Sequence, residues 1–225
     1  MPLTKPEKRA RVLIVDDHPS VREALSIRIE RQPDLEVCGQ AEDVNEALAL
    51  IDSTQPDVAV IDITLKTGSG IDLIKSVAAR NLSVRMLVWS SHSESLYAER
   101  ALQAGALGYV SKDQATDVIV AAIQRVLQGK LYLSEAMHQA LVERRFGRAP
   151  NQGSRALLDC LSDRELEVFR LIGQGVKNTD IAKMLHIAAK TVETYRFRIR
   201  EKLNLKDATA LTHHATLWAV ENGLA

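Results

Sequence analysis

The chain of 225 residues is 46% hydrophobic and 26% charged, which is typical of a globular protein with one or two cored domains. Basic and acidic residues balance at 29 each, so net charge alone indicates neither a nucleic-acid nor a membrane partner. No apolar run approaches the roughly 20 residues that span a membrane, and the basic N-terminus lacks the apolar core of a signal peptide. The two cysteines, Cys38 and Cys160, form no CxxC pair, which favours reduced thiols and a cytoplasmic location.

Charge is unevenly distributed along the chain. Residues 1–154 hold 18 basic and 20 acidic residues, whereas residues 186–206 hold six basic and two acidic ones. This asymmetry predicts an acidic module joined to a segment that binds a polyanion.

Strand and helix patterns alternate five times from residue 11 to about 128. The predicted strands are 11–16, 35–40, 58–62, 84–89 and 107–110, and the predicted helices are 19–32, 43–53, 70–80, 93–103 and 114–128. Repeated βα units predict an α/β fold with a parallel sheet and helices on both faces. Ligands bind such sheets beyond the carboxyl ends of the strands.

Carboxylates stand at two of those strand ends. The apolar run Val58–Ile61 reads as a buried strand, and Asp62 follows it; the strand that begins at Arg11 ends in Asp16 and Asp17. Taken alone, Asp62 is more often a loop residue or a helix cap. Two parallel strands that end side by side would, however, gather three carboxylates, which cannot all stay ionised without a cation.

The fourth and fifth strands end in polar residues too, and the complete set carries a resemblance. The motifs are Asp16-Asp17, Asp62, Leu87-Val88-Trp89-Ser90 and Ala104-Gly105-Ala106-Leu107-Gly108-Tyr109-Val110-Ser111-Lys112. In this order and spacing they resemble the receiver domain of two-component response regulators, over residues 10–130. The resemblance implies a flavodoxin-like sheet of order 2-1-3-4-5.

The same resemblance implies the acceptor and the metal site. Asp62 would accept a phosphoryl group from a sensor histidine kinase. Asp17, Asp62 and the backbone carbonyl of Thr64 would bind Mg²⁺, with Asp16 helping through water. A carboxylate is a usable nucleophile toward phosphorus when a cation offsets the charge on both reactants.

Three further residues would respond to the phosphoryl group. By resemblance, Ser90 hydrogen-bonds a phosphoryl oxygen, Lys112 pairs with it, and Tyr109 is the switch aromatic. The alternatives are a turn serine, a solvated surface lysine and a core tyrosine. One departure is Lys66, which stands where this family usually has proline, a residue that would make that loop more rigid.

A helix from Ser134 to Arg145 and a linker are predicted next. Residues 146–154 contain two glycines, a proline and short polar residues, which is typical of a flexible linker. We therefore expect residues 131–157 to connect the receiver domain to a second domain.

The remaining residues, 158–225, carry no strand signal. Ser162 and Glu165 form a capping box that opens a helix to about residue 172, and a short helix at 178–185 is followed by a longer one at 189–203. A short helix, a tight turn and a basic second helix are the parts of a helix-turn-helix. The stretch Leu161-Ser162-Asp163-Arg164-Glu165-Leu166-Glu167-Val168, with Asn178-Thr179-Asp180-Ile181-Ala182 and Lys190-Thr191-Val192-Glu193-Thr194, resembles the LuxR/FixJ-type DNA-binding domain.

The basic helix predicts which side meets DNA. Its buried face is expected to comprise Val192, Tyr195, Ile199 and Leu203. The expected DNA contacts are Lys190, Thr191, Glu193, Thr194, Arg196, Phe197 and Arg198. Two departures from the family pattern lie nearby: Ala188-Ala189 where serine is common, and Tyr195 where histidine is frequent.

In the last helix, Leu211 and Trp218 form an apolar stripe with Ala208 and Ala215. The stripe either pairs two copies of the chain into a DNA-bound homodimer or only closes the core of the domain.

The leading hypothesis is a phosphorylation-controlled transcription regulator, not an enzyme, that binds promoter DNA. An aspartyl phosphatase is the rival from another class, although Thr64 stands where those enzymes have a second acid. A DNA-binding protein whose receiver serves only for dimerisation is the third hypothesis.

Overall fold

The computed structural model describes residues 9–115, 117–145, 158 and 160–223. Residues 1–142 form one compact unit and residues 143–225 a second. The predicted flexible linker, residues 146–154, lies outside the described residues. No helix within the described ranges is long and apolar enough to cross a lipid bilayer.

The first unit alternates strands and helices. Its strands are β1 (Ala10–Val15), β2 (Leu35–Ala41), β3 (Val58–Ile61), β4 (Arg85–Ser90) and β5 (Gly108–Ser111). Its helices are α1 (Pro19–Glu30), α2 (Val44–Thr54), α3 (Gly70–Ala79), α4 (Glu94–Ala104) and α5 (Asp117–Leu127), and α6 (Glu135–Arg145) follows them.

The five strands form one parallel sheet of order β2-β1-β3-β4-β5, as predicted. Central strand β3 is buried along its whole length, which explains its uninterrupted apolar sequence. One large cluster packs apolar residues of β1, β3 and β4 against α1 and α5. Strand β3 ends at Ile61, one residue earlier than predicted, so Asp62 is the first residue beyond the sheet.

The second unit is helical in its described part, as predicted. Its helices are α7 (Asp163–Gly173), α8 (Asn178–Met184), α9 (Ala189–Lys202) and α10 (Ala208–Glu221). The predicted capping box is present at the start of α7, where the Ser162 side chain accepts from the Glu165 amide and Glu165 accepts from the Ser162 amide.

Helix α10 packs closely on α7. A Cβ atom on Gly173 would lie 2.4 Å from the backbone oxygen of Ala215, so the two helices approach backbone to backbone at this glycine. The Phe169 and Trp218 ring centroids are 5.4 Å apart.

Candidate functional site

The three predicted carboxylates meet at the carboxyl edge of the sheet. Asp16 and Asp17 follow β1, Asp62 follows β3, and the side chains of all three are largely buried. One oxygen of each carboxylate and Nδ1 of His18 lie within 4.8 Å of one another. Backbone amides hold the cluster, since His18 N–H donates to Asp16 Oδ1 at 2.9 Å and Ile63 N–H to Asp62 Oδ1 at 2.6 Å.

Lys112 supplies the positive charge of this cluster. It follows β5, and its Nζ lies 2.6 Å from Asp16 Oδ2 and 2.5 Å from Asp62 Oδ2. Burial acts to lower the pKa of the Lys112 ammonium, but the carboxylates of Asp62 and Asp16 outweigh burial and raise it. Lys112 is therefore a charged member of the pocket and not a solvated surface lysine.

The pKa of Asp16 is raised too, which for a carboxyl group disfavours the charged form. Burial, together with the nearby carboxylate of Asp62, raises the pKa of Asp16, and Lys112 only partly offsets this. The ammonium of Lys112 does not fully neutralise the negative charge of the carboxylates gathered here. Oxygen donors that are buried, acidic and convergent suit a hard divalent cation such as Mg²⁺, so the residues present fit the metal that the sequence predicts.

Ser90 and Tyr109 lie behind the Asp62 carboxylate. Ser90, at the end of β4, is completely buried, and its Oγ donates to Asp62 Oδ1 at 2.5 Å. Tyr109 on β5 is also buried, and its hydroxyl donates to the backbone oxygen of His92 at 2.7 Å. Burial raises the pKa of Tyr109 well above its usual range, so the hydroxyl remains a donor.

The loop after Asp62 contains Thr64 and Lys66. Thr64 forms an isolated antiparallel bridge with Ser69. The Lys66 amide donates to the backbone oxygen of Glu42 at 3.2 Å, and the Lys66 ammonium pairs with the Glu42 carboxylate. These two contacts tie the loop to the segment after β2 without the family's usual proline.

Sequence reasoning missed three residues at this site, His18, His92 and Gly70. Nδ1 of His18 lies 2.7 Å from Asp17 Oδ1. His92 lies in the loop after β4, where its Nε2 is 2.8 Å from Thr64 Oγ1 and its ring lies 4.9 Å from that of Tyr97. Gly70 opens α3, and a Cβ atom there would lie 1.9 Å from the backbone oxygen of Asp62. A glycine at the first position of a helix was the one available signal, since Gly is a poor helix former. Nothing in the sequence marked His92.

The predicted buried face of the basic helix, now α9, is confirmed. Val192 and Ile199 are fully buried, and Tyr195 and Leu203 are half-buried. Phe197 points outward with 55% of its surface exposed.

The outward side of α9 carries cations without acidic partners. Among the residues that the structure describes, no carboxylate lies within 4.0 Å of the side chains of Lys190, Arg196, Arg198 and Arg200. By contrast, Lys202 at the end of the helix pairs with Glu165 at 2.6 Å. Burial lowers the pKa of Arg196, whose guanidinium reaches the Thr212 hydroxyl at 3.4 Å. Uncompensated cations around an exposed aromatic ring form a surface suited to a polyanion.

Of the two alternatives for the apolar stripe on α10, the structure supports closure of the domain core. Leu211, Ala215 and Trp218 are buried against α7, so they belong to the core of their own domain, and Ala208 is exposed. The large apolar residues that α10 leaves exposed are Leu217 and Val220, at 51% and 61%.

Fold and sites together define a receiver sheet joined to a helix-turn-helix domain, and the comparisons agree. The family model for the response regulator receiver domain matches residues 12–124, and that of the bacterial regulatory proteins of the luxR family matches residues 159–215. The chain belongs to the response regulators that carry a LuxR-type DNA-binding domain. This family consists of transcription regulators and not of enzymes, which removes the support for an aspartyl phosphatase.

Characterised relatives are similar over nearly the full length. The virulence-factor transcription regulator BvgA of Bordetella pertussis is 34% identical over 96% of this chain and 99% of its own. The DNA-binding transcriptional activator DevR/DosR of Mycobacterium tuberculosis is 34% identical over 92% of this chain and 94% of its own.

Solved structures give the same assignment. A LuxR-family two-component response regulator from Aurantimonas is 37% identical with a TM-score of 0.58, over 62% of this chain and 99% of that one. RcsB of Salmonella enterica, bound to promoter DNA in the presence of the phosphomimetic BeF3⁻, is 25% identical with a TM-score of 0.61, over 92% and 98%.

Proposed function

We propose that this protein accepts a phosphoryl group on Asp62 from a sensor histidine kinase and binds promoter DNA as a dimer in response. The observation that carries the proposal is the arrangement around Asp62, where Lys112, Ser90 and the Ile63 amide contact its two oxygens. We further propose the domain division 10–130, 131–157 and 158–225.

Phosphoryl transfer to Asp62 would use residues that already contact this carboxylate. An Asp62 oxygen attacks phosphorus while the bond from phosphorus to the donor nitrogen breaks, and the donor histidine keeps that electron pair. Mg²⁺, held by Asp16, Asp17, Asp62 and the Thr64 carbonyl, would neutralise charge on both reactants. Lys112 is positioned to pair with the new phosphoryl oxygens because its ammonium already bridges Asp16 and Asp62.

The response to phosphorylation passes through Ser90. Its hydroxyl donates to Asp62 Oδ1, and conversion of the carboxylate to an acyl phosphate weakens that acceptor, so the hydroxyl turns to a phosphoryl oxygen. Tyr109 packs behind it with its hydroxyl on the His92 carbonyl. A rearrangement of Ser90 and Tyr109 would therefore move the loop before α4.

DNA recognition is proposed for the outward side of α9. Phe197 offers an apolar ring to a thymine methyl, and Glu193 and Thr194 can reach base edges in the major groove. Lys190, Thr191, Arg196 and Arg198 serve mainly phosphates. Phe197→Ala should lose roughly 1–3 kcal/mol on a specific site with little change in non-specific binding, whereas Lys190→Ala should weaken both.

Dimerisation is proposed to use Leu217 and Val220, which are one turn apart on the exposed side of α10. Two copies related by a two-fold axis would bury this patch and place two α9 helices at half-sites about one DNA turn apart. A protein with this role works beside the chromosome, in the cytoplasm.

The proposal is tested by incubation with acetyl phosphate and Mg²⁺, followed by intact-protein mass measurement. Wild type should gain one phosphoryl group, chelation of Mg²⁺ should prevent the gain, and Asp62→Asn should gain none. Asp113→Asn, a variant of an exposed aspartate near the same edge, is the matched control and should label as wild type does. Full labelling of Asp62→Asn would overturn the assignment of the acceptor, and an unlabelled wild type would support a receiver that serves only for dimerisation.

A further inference from the structure

The side chain of Arg200, on α9, contacts an aromatic ring of the same helix. Its guanidinium carbon lies 5.3 Å from the centroid of the Phe197 ring, one turn earlier on the same helix. No carboxylate in the described part of the chain lies within 4.0 Å of the Arg200 side chain, although Glu193 and Glu201 are on the same helix. The contact that fixes the Arg200 side chain is therefore the aromatic ring.

We propose that Arg200 is a positioning residue for Phe197: by stacking on the ring it holds the ring in the orientation that reads a base, and so it contributes to sequence specificity. This rests on the proposed function, because it requires Phe197 to face the DNA bases. Nothing in the resemblance to the family assigns such a role to Arg200.

An exposed phenylalanine on a helix needs such a contact to keep one orientation. Phe197 is 55% exposed and borders a cavity that is also lined by Arg196, Ala208 and Leu211. The space beside the ring is not filled by packed side chains, and Arg200 also borders it. A ring that must be ordered at the moment of binding loses part of its contact energy to conformational entropy, and a ring ordered beforehand does not.

Arginine suits this task better than lysine. A planar guanidinium can place its face on an aromatic ring while the N–H groups at its edge stay available to an acceptor. Arg200 can therefore hold Phe197 and donate to a DNA phosphate simultaneously. These two contacts of Arg200 couple the position of the DNA backbone to the orientation of the Phe197 ring, which reads the base.

A double-mutant cycle in the full-length protein tests the inference. Binding is measured on a selected specific duplex and on a scrambled duplex for wild type, Arg200→Ala, Phe197→Ala and the double variant. Arg200→Ala should lower the ratio of specific to non-specific affinity by about two- to fivefold, the range expected for an exposed cation–π contact. In the Phe197→Ala background the same change should leave that ratio unaltered.

The matched control is Arg198→Ala, which removes an exposed arginine from the same helix. It should weaken binding to both duplexes alike, in either background, and should reduce the salt dependence by about one phosphate contact. Arg200→Lys keeps the charge and should recover the salt dependence of wild type but only part of the specificity ratio.

The outcomes separate this inference from the proposed function. If Phe197→Ala leaves the specificity ratio unchanged, the proposed base-reading face is wrong and the inference fails with it. If Phe197→Ala lowers the ratio but Arg200→Ala acts equally in both backgrounds, the proposed face stands and Arg200 is a phosphate contact only. Circular dichroism of each variant confirms that the helical domain remains folded.

Discussion

A Cβ atom on Gly70 would lie 1.9 Å from the backbone oxygen of Asp62, so α3 can begin where it does only with glycine. The Gly70 amide also donates to the Ile63 oxygen at 2.8 Å. The loop that follows Asp62 and the start of α3 are thus packed backbone to backbone.

Gly70→Ala should therefore displace the Asp62 loop. We expect a loss of about 1–3 kcal/mol in the free energy of unfolding, as for other overpacked sites, and slower phosphorylation by acetyl phosphate. The measurement is urea unfolding in a Trp218→Phe background. Trp89 is then the one remaining tryptophan, and its fluorescence reports on the unfolding of the receiver domain. Gly39→Ala is the control, because its Cβ would meet only the ends of the Leu13 and Leu50 side chains, at 3.2 and 3.4 Å, and no backbone atom within 3 Å. Equal effects of the two changes would contradict a special role for Gly70.

Ser90→Ala should separate phosphorylation from its consequence. The change removes the hydroxyl that contacts Asp62 Oδ1 but leaves Lys112 and the Ile63 amide in place. In wild type, a coupling of about 1–3 kcal/mol would raise the DNA affinity roughly 5- to 150-fold on phosphorylation. The Ser90→Ala variant should accept phosphate and yet lose most of this gain in affinity. Titration of phosphorylated protein with operator DNA measures this gain. Ser91→Ala, at the exposed neighbouring position, should respond as wild type does, and an equal response from Ser90→Ala would disprove the relay.

The receiver could be predicted largely from its sequence because buried parallel strands have a distinctive pattern. An apolar run that stops at a carboxylate, as at Asp62, marks both the strand and the edge where ligands bind. Contacts that depend on loop conformation could not be predicted. His92 reaches Thr64 only because the loops after β3 and β4 fold toward each other, and no spacing rule encodes that.

The role of the apolar stripe on α10 could not be predicted from the sequence, for a different reason. Helical periodicity shows that Leu211 and Trp218 share a face, but it does not say whether a partner or the same domain covers that face. Helix α7 covers it, through Phe169.

Leu217→Glu should disrupt the dimer on DNA while the domain stays folded. Leu217 is 51% exposed, so a charge there costs little in the monomer but much in a paired apolar patch. Cooperative binding to a duplex with two half-sites should be lost, and affinity for one half-site should stay within about twofold. Thr209→Glu, an exposed position near the start of α10, is the control. Trp218→Ala should instead destabilise the domain by about 3–5 kcal/mol. Cooperativity that survives Leu217→Glu would exclude this patch.

The stability of the output domain should decline in acid through Glu165. Burial acts to raise the pKa of Glu165, but hydrogen bonds from Lys202 and from the Ser162 amide outweigh burial and lower it. Because the folded pKa lies below the unfolded one, the pair contributes its full stability above the unfolded pKa of about 4.3, and that contribution is lost as pH falls through the folded pKa. Urea unfolding of a Trp89→Phe variant, followed by Trp218 fluorescence, should show this decline. Glu165→Gln should flatten it, whereas Glu201→Gln, at an exposed position, should not.

Ala188→Ser should stabilise helix α9. Ala188 is the N-cap of α9 and has no side-chain acceptor for the free amides of the first turn. A serine hydroxyl there would accept from one of those amides, and such caps contribute about 0.5–2 kcal/mol relative to alanine. The free energy of unfolding, measured by Trp218 fluorescence in the Trp89→Phe background, should rise by that amount. Ala189→Ser is the control, because position 189 lies inside the helix, where serine is a poorer helix former than alanine, and it should destabilise slightly. If Ala188→Ser and Ala189→Ser change the free energy of unfolding equally, the missing N-cap does not limit the stability of the first turn of α9.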